Sequence, residues 1–350
     1  MQVKGDPATD ELKISLDCAS KLVHYASMKS LSIVLLLAAS VFPAQPKVQF
    51  VTVDDDVKLE VLDWGGDGPA IVLLPGYNTA HAFDDIAPKF AQFAHVYGIT
   101  RRGYGVSSQP ASGYSAQRRS ADVLNVLDTL KLERPFLAGH SFGGEDITTL
   151  AATYPSRIAG LIYLNSAEDP TLVMSDYGVK SADPAKLPAS MRQRSPEDRS
   201  SPRAYSQSQQ KIHGVAFPVS EWQNSFAMNP DGSLGRHNTP GSIRQAIFEG
   251  RQKPEYARIR VPILAFFAQA APLQEIIDLY KPQNAGERQA LEQQYAVGVA
   301  IMNRHKQDLV IGAPHTQVID VPGANFYIFL SNETEIVHGI KQFLSAAAPR

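Results

Sequence analysis

Leu137-Ala138-Gly139-His140-Ser141-Phe142-Gly143-Gly144 decides how this chain is read. The apolar run 135–138 has the composition of a short buried strand, and Leu150, Ala151 and Ala152 continue a helix-like segment up to Pro155. Between them lies Gly139-x-Ser141-x-Gly143, the spacing of a nucleophile elbow. A turn this sharp packs backbone so closely that a Cβ at either flanking position would collide with it, hence the glycines. It also lifts the serine hydroxyl above the first turn of a helix. There, free N–H groups and the helix dipole favour developing negative charge. Ser141 is the candidate nucleophile.

Working outward, residues 48–53 and 57–64 alternate as two strands joined at the acidic turn Asp54-Asp55-Asp56. Residues 70–74 are continuously apolar, as a strand buried on both faces should be. They end in Pro75-Gly76-Tyr77-Asn78-Thr79. Segment 80–93 reads as a helix, 95–99 as a strand, 118–132 as a helix and 159–164 as a strand. Two more strands are expected at 261–267 and 316–321, and a last helix at 333–347 carries Ile336, Ile340 and Phe343 on one face. Alternating strands and helices predict a mostly parallel twisted sheet with helices on both faces. The connection between the sixth and seventh strands is too long to be structureless. Its part 181–210 is rich in Pro, Ser, Arg and Gln and reads as irregular, whereas Phe217, Trp222, Phe226 and Ile243 support a small helical lid. This lid is an insertion over about 167–256, and 273–306 reads mainly as helix.

The 350 residues carry a net charge of -2, so a nucleic-acid partner has no electrostatic basis. The single cysteine, Cys18, permits neither a disulfide framework nor a cysteine metal site. The nine histidines show no metal-ligand spacing, and no cofactor is expected. The expected partner is a small ester-like substrate or ligand. Near the start, Met28-Lys29 precedes the apolar run 31–41, with Ala38-Ala39-Ser40 and then Phe42-Pro43-Ala44-Gln45. A positive start, a short apolar core and small residues describe a secretory signal peptide. The run is too short to cross a bilayer comfortably, so no stable membrane span is expected after cleavage. On this reading translation starts at Met28 and 1–27 is an upstream extension. The signal is 28–44, the folded domain is 45–350, and the protein is secreted or periplasmic.

From Val48 to its C-terminus the chain resembles the α/β-hydrolase superfamily, a fold with a helical lid inserted after the sixth strand. It most resembles bacterial hydrolases with N-T-A-H, T-R-R-G-x-G and G-H-S-x-x-G-E segments. These stand here as Asn78-Thr79-Ala80-His81, Thr100-Arg101-Arg102-Gly103-Tyr104-Gly105 and Gly139-His140-Ser141-Phe142-Gly143-Gly144-Glu145. Dehalogenases and epoxide hydrolases resemble this pattern but use aspartate at the elbow, where this chain has serine. The resemblance implies an oxyanion site made by the N–H groups of Phe142 and Tyr77, each donor worth about 3–4 kcal/mol of barrier. It also implies a histidine after the last strand, in a context like P-G-A-N-H-Y. This chain reads Pro322-Gly323-Ala324-Asn325-Phe326-Tyr327, with Phe326 in the histidine's place. The acid of the close relatives, after the sixth strand, corresponds to Asn165, and Ala268-Gln269-Ala270-Ala271 after the seventh has no carboxylate. In serine hydrolases loss of the base costs about a millionfold, leaving roughly a thousandfold from donors and binding.

Other groups compete for these roles. His315 precedes the last strand at the far edge of the sheet, and His338 lies down the final helix. His140 adjoins the serine, but neighbouring side chains at such a turn point apart. His81 opens the helix after the oxyanion loop and is the candidate substitute base, or else a residue that packs or caps that helix. Asp169 is the candidate acid, with Glu168 and Glu145 the other carboxylates near in sequence. Arg101 and Arg102 either receive an anionic substrate or anchor the loop after the fourth strand. Two functions fit: an exported serine hydrolase of carboxylic esters or related acyl compounds, or a homologue that keeps the pocket to bind a small molecule or partner.

Overall fold

The computed structural model describes residues 45–192 and 197–347. The signal-peptide and start-site expectations therefore lie outside the described residues. Eight strands form one sheet: β1 (Lys47–Asp54), β2 (Val57–Gly65), β3 (Ala70–Leu74), β4 (His95–Thr100), β5 (Phe136–His140), β6 (Gly160–Leu164), β9 (Ile263–Gln269) and β10 (Thr316–Pro322). A separate hairpin pairs β7 (Phe226–Met228) with β8 (Leu234–His237). The large sheet runs β1-β2-β4-β3-β5-β6-β9-β10. β1 with β2 and β2 with β4 are antiparallel, and the other pairs are parallel.

Both faces of the sheet are covered, and the alternation of side chains along each strand feeds two cores. Ile71 and Leu73 of β3 enter the core shared with the final helix Glu333–Ala347, through Ile336, Ile340 and Phe343. Val72 and Leu74 enter the opposite core, with Val123 and Leu127 of helix Ala116–Thr129 and Ile147 and Leu150 of helix Phe142–Thr153. The central strands are thus apolar on both faces, which is why they read as continuous runs.

One local expectation is corrected. Segment 80–93 is not one helix but a 3-10 turn, Ala80–Phe83, followed by the single turn Ala87–Phe90. Pro88 has no N–H to return to the carbonyl of residue 84, so an α-helix cannot run through. Between β6 and β9 lie helices Pro202–His213, Val219–Ser225 and Gly241–Glu249. Ser201 accepts from the Ala204 N–H and so starts the first of these within the stretch expected to be irregular. Tyr205, Phe217, Trp222 and Phe226 form an aromatic cluster that joins this lid to the core under the final helix.

Candidate active site

Ser141 sits between β5 and helix Phe142–Thr153 with φ 50° and ψ −125°, a backbone conformation rare for a side-chain-bearing residue. Such a conformation costs on the order of 1–3 kcal/mol and persists only where surroundings fix it. They do so here by close approach. A Cβ on Gly143 would stand 2.1 Å from the Leu74 carbonyl oxygen at the end of β3. A Cβ on Gly76 would stand 2.7 Å from Ser141 Cβ and 3.1 Å from its Oγ. The loop after β3 therefore lies directly against the serine. The Phe142 N–H, first in its helix, has no intrahelical acceptor. Tyr77 follows Gly76, and its ring stands edge-on to Phe142 at 4.7 Å.

Arg101 holds this loop in place. Its guanidinium donates to the carbonyls of Gly76 (2.8 Å) and Pro75 (2.5 Å) and pairs with Asp146 of the elbow helix at 3.1 Å. Arg102 pairs with Asp122 at 2.5 Å. Both arginines are buried, so anchoring is their role and neither is offered to a substrate. Asp146 is shared with Arg119, which also pairs with Glu145, so a buried charge cluster underlies the elbow.

From the other side comes Glu221, which the sequence reading missed. This fully buried carboxylate of lid helix Val219–Ser225 accepts from Asn78 Nδ2 (3.1 Å), Thr79 N–H (3.2 Å), Thr79 Oγ1 (2.5 Å) and Ser225 Oγ (2.7 Å). Burial pushes its pKa up to about 7, against the pull of these donors. No motif marks Val219-Ser220-Glu221-Trp222, and Asn78 and Thr79 lie far away in sequence.

His81 is engaged through both of its ring nitrogens. Its Nδ1 pairs with Asp84 at 2.8 Å and its Nε2 with Glu60 at 3.5 Å. Burial lowers its pKa, but hydrogen bonds to Asp84 and Glu60 outweigh that and raise it to about 10. An imidazolium with both nitrogens engaged has no lone pair for a serine proton, so the structure speaks against His81 as a substitute base. Its folded pKa exceeds the ordinary 6.5, so the pairing stabilises fully below about 6.5 and that contribution fades as pH rises towards about 10. His81→Gln is therefore expected to lose about 3 kcal/mol at pH 6, roughly 5–10 °C in melting temperature, with the gap narrowing by pH 10. Urea melts across this range check it. A variant as stable as the parent that loses only turnover would instead return His81 to the base role.

Asp169 is likewise committed elsewhere. Its Oδ1 accepts from Thr171 N–H (3.0 Å) and Thr171 Oγ1 (2.6 Å), closing a local turn. Positions 165 and 326, by contrast, meet. Asn165, at φ 54°, donates through Nδ2 to the Phe326 carbonyl (3.3 Å) and accepts the Ala268 N–H on Oδ1 (3.0 Å). His140 Nε2 also donates to the Phe326 carbonyl, at 3.1 Å, since a carbonyl can only accept. Burial lowers the His140 pKa to about 4, so the ring is neutral. Phe326 lays its ring edge-on to His140 at 4.8 Å and remains 45% exposed.

Strand order, the strained elbow and the loop packed against it together define an α/β hydrolase. The chain belongs to that family: the model described as alpha/beta hydrolase fold matches residues 69–264, more than half of it. It is 34% identical over 116 residues to a fluoroacetate dehalogenase of a Burkholderia species, a match covering 31% of this chain and 38% of that protein. It is 33% identical over 130 residues to a non-heme chloroperoxidase of Streptomyces lividans, covering 36% and 47%. The chain thus spans less than half the length of these curated relatives. Among solved structures, that of E-2-(acetamidomethylene)succinate hydrolase aligns with TM-score 0.62 and 18% identity, covering 86% of this chain and 99% of that one. Est816, described as an N-acyl homoserine lactone degrading enzyme, aligns with TM-score 0.54 and 19% identity, covering 84% and 100%. These two share the fold.

Proposed function

We propose that this chain is an exported serine hydrolase that acts on carboxylic esters or related acyl compounds through Ser141, with an altered triad. One observation carries the reading: Ser141 is held at φ 50° with Gly76 packed against its hydroxyl-bearing Cβ. Backbone strain of this kind at a serine beside a close-packed loop is the mark of a site that does chemistry. The Phe142 and Tyr77 N–H groups would receive the oxyanion. A second reading, a ligand-binding homologue without turnover, is favoured by Phe326, whose ring packs on His140 where the family's histidine belongs.

A fluorophosphonate probe separates the two. The purified protein is expected to label at Ser141, and Ser141→Ala to abolish labelling with an unchanged melting temperature. Folded protein that takes up no probe selects the binding reading. The same material, sequenced from its N-terminus, is expected to begin between about Val41 and Gln45. An intact Met1 in the cytosol would refute export.

A further inference from the structure

Tyr77 is the residue after Gly76, and its 42% exposed ring is one wall of an open cleft of about 460 Å³. The other walls are Gly241, Arg244, Gln245 and Phe248 of the lid helix Gly241–Glu249, whose N-terminus therefore opens into the cleft. One guanidinium, that of Arg244, lines it, and a second, that of Arg251, stacks on the lining ring of Phe248; neither makes an ion pair among the described residues. Arg244 is steadied by donating to the Thr239 carbonyl (3.0 Å). Arg251 lies over the Phe248 ring, 3.3 Å from its centre, and donates to the Phe248 carbonyl (2.6 Å). Below, Tyr104 packs with Phe142, Ile243 and Ile247, and its buried hydroxyl has no hydrogen-bond partner among the described residues.

Two carboxylates lie nearby. Glu249 is bonded by Gln245 Nε2 at 2.7 Å. Glu168 acts on both Tyr77 and Arg251, but burial, reinforced by Glu145 and opposed by Arg251, pushes its pKa up to about 7. Near neutrality it leaves Arg251 without a full counter-charge. Two guanidiniums faced by a single carboxylate that is only partly ionised near neutrality leave a net positive rim, which favours an anion.

We propose that this cleft is an anion subsite that takes the free carboxylate of a monoester of a dicarboxylic acid, or of a related carboxylate-bearing acyl compound, beside Ser141. The inference rests on the hydrolase reading and narrows its substrate class. The carboxylate sits between Arg244 and Arg251 while the acyl chain crosses Tyr77 towards Gly76 and the serine. Arginine favours this role because its planar fork matches a carboxylate.

Calorimetric titration of the Ser141→Ala variant tests binding without turnover, using monomethyl succinate as the anion and dimethyl succinate as its neutral counterpart. The monoester is expected to bind at least tenfold more tightly, with that preference shrinking at about 0.5 M salt as screening requires. Arg244→Gln and Arg251→Gln should each reduce the preference at least fivefold, with thermal melts confirming that the variants fold. Equal binding of the two esters, no binding of either, or a preference that survives in the double arginine variant overturns the proposal. Monoester binding in a protein that fluorophosphonate does not label would uphold the subsite while the hydrolase reading fails. Labelling without anion preference would do the reverse.

Discussion

Phe326→His is expected to raise hydrolysis of p-nitrophenyl acetate at least tenfold over the parent, and adding Asn165→Asp to raise it further, more than additively in free energy. The expectation rests on the contact between the two positions. Asn165 reaches the Phe326 backbone at 3.3 Å, so a side chain at 165 already stands at the loop that would carry the imidazole. Phe326 is 45% exposed and fills no core, so histidine can replace it without leaving a cavity. Neutral near pH 7, the new ring can accept the Ser141 proton. Alone it lacks an ionised partner, and a wrongly held tautomer costs about ten-thousandfold. Asn165→Asp by itself should be unfavourable. The oxygen that replaces Nδ2 would face the Phe326 carbonyl, acceptor against acceptor, until an imidazole N–H is there to donate. That dependence is the source of the non-additivity. The gain must vanish when Ser141 is also replaced. A folded double variant no faster than the parent would show that the loop has left hydrolase geometry, and would favour the ligand-binding reading.

Arg119→Met is expected to produce the largest loss of stability. Arg119 is 2% exposed and pairs with both Glu145 and Asp146 in the elbow helix, besides donating to the Tyr114 carbonyl. Methionine fills similar space but strands two buried carboxylates, leaving Arg101 to serve Asp146 from 3.1 Å. Removing one partner of a buried ion pair costs about 3–5 kcal/mol, roughly 10 °C for a domain of this size. Burial already raises the Glu145 pKa, chiefly against Arg119. Without the arginine it rises further, so the variant should recover stability as pH falls and Glu145 takes up a proton. Thermal melts at pH 5 and pH 8 check both sign and size. A shift under 2 °C at pH 8 would mean that the cluster is hydrated rather than dry.

The sheet was legible because burial on both faces writes strands as unbroken apolar runs. The strand expected at 70–74 is Ala70–Leu74, and the helix expected at 333–347 is Glu333–Ala347. The elbow was legible for a different reason: only glycine fits where Gly143 meets Leu74, so sterics leave a mark in the sequence. Less of the site could be read. Glu221 reaches Asn78 and Thr79 from another element, and a glutamate that accepts from four donors is spelled like any other. His81 was singled out for its place after the donor loop, but its chemistry is set by Glu60 on β2 and by Asp84, contacts that its position alone does not reveal. The hairpin of β7 and β8 went unseen because strands this short have too few residues to show alternation.

The bonds around Glu221 also bear on how a ligand gets in and out. Helix Val219–Ser225 is fastened through Ser220 to Asp84 and through Glu221 to Asn78 and Thr79. A hinged cover ordinarily exchanges its cargo by swinging while the parts beneath stay assembled. Here the cover is tied to the loop proposed to hold the oxyanion, so raising the helix by a few ångströms would also dismantle that proposed site. Traffic must then pass beside the helix, over the rim of Tyr77 and Phe248, or each opening resets the machinery and its reassembly paces the cycle.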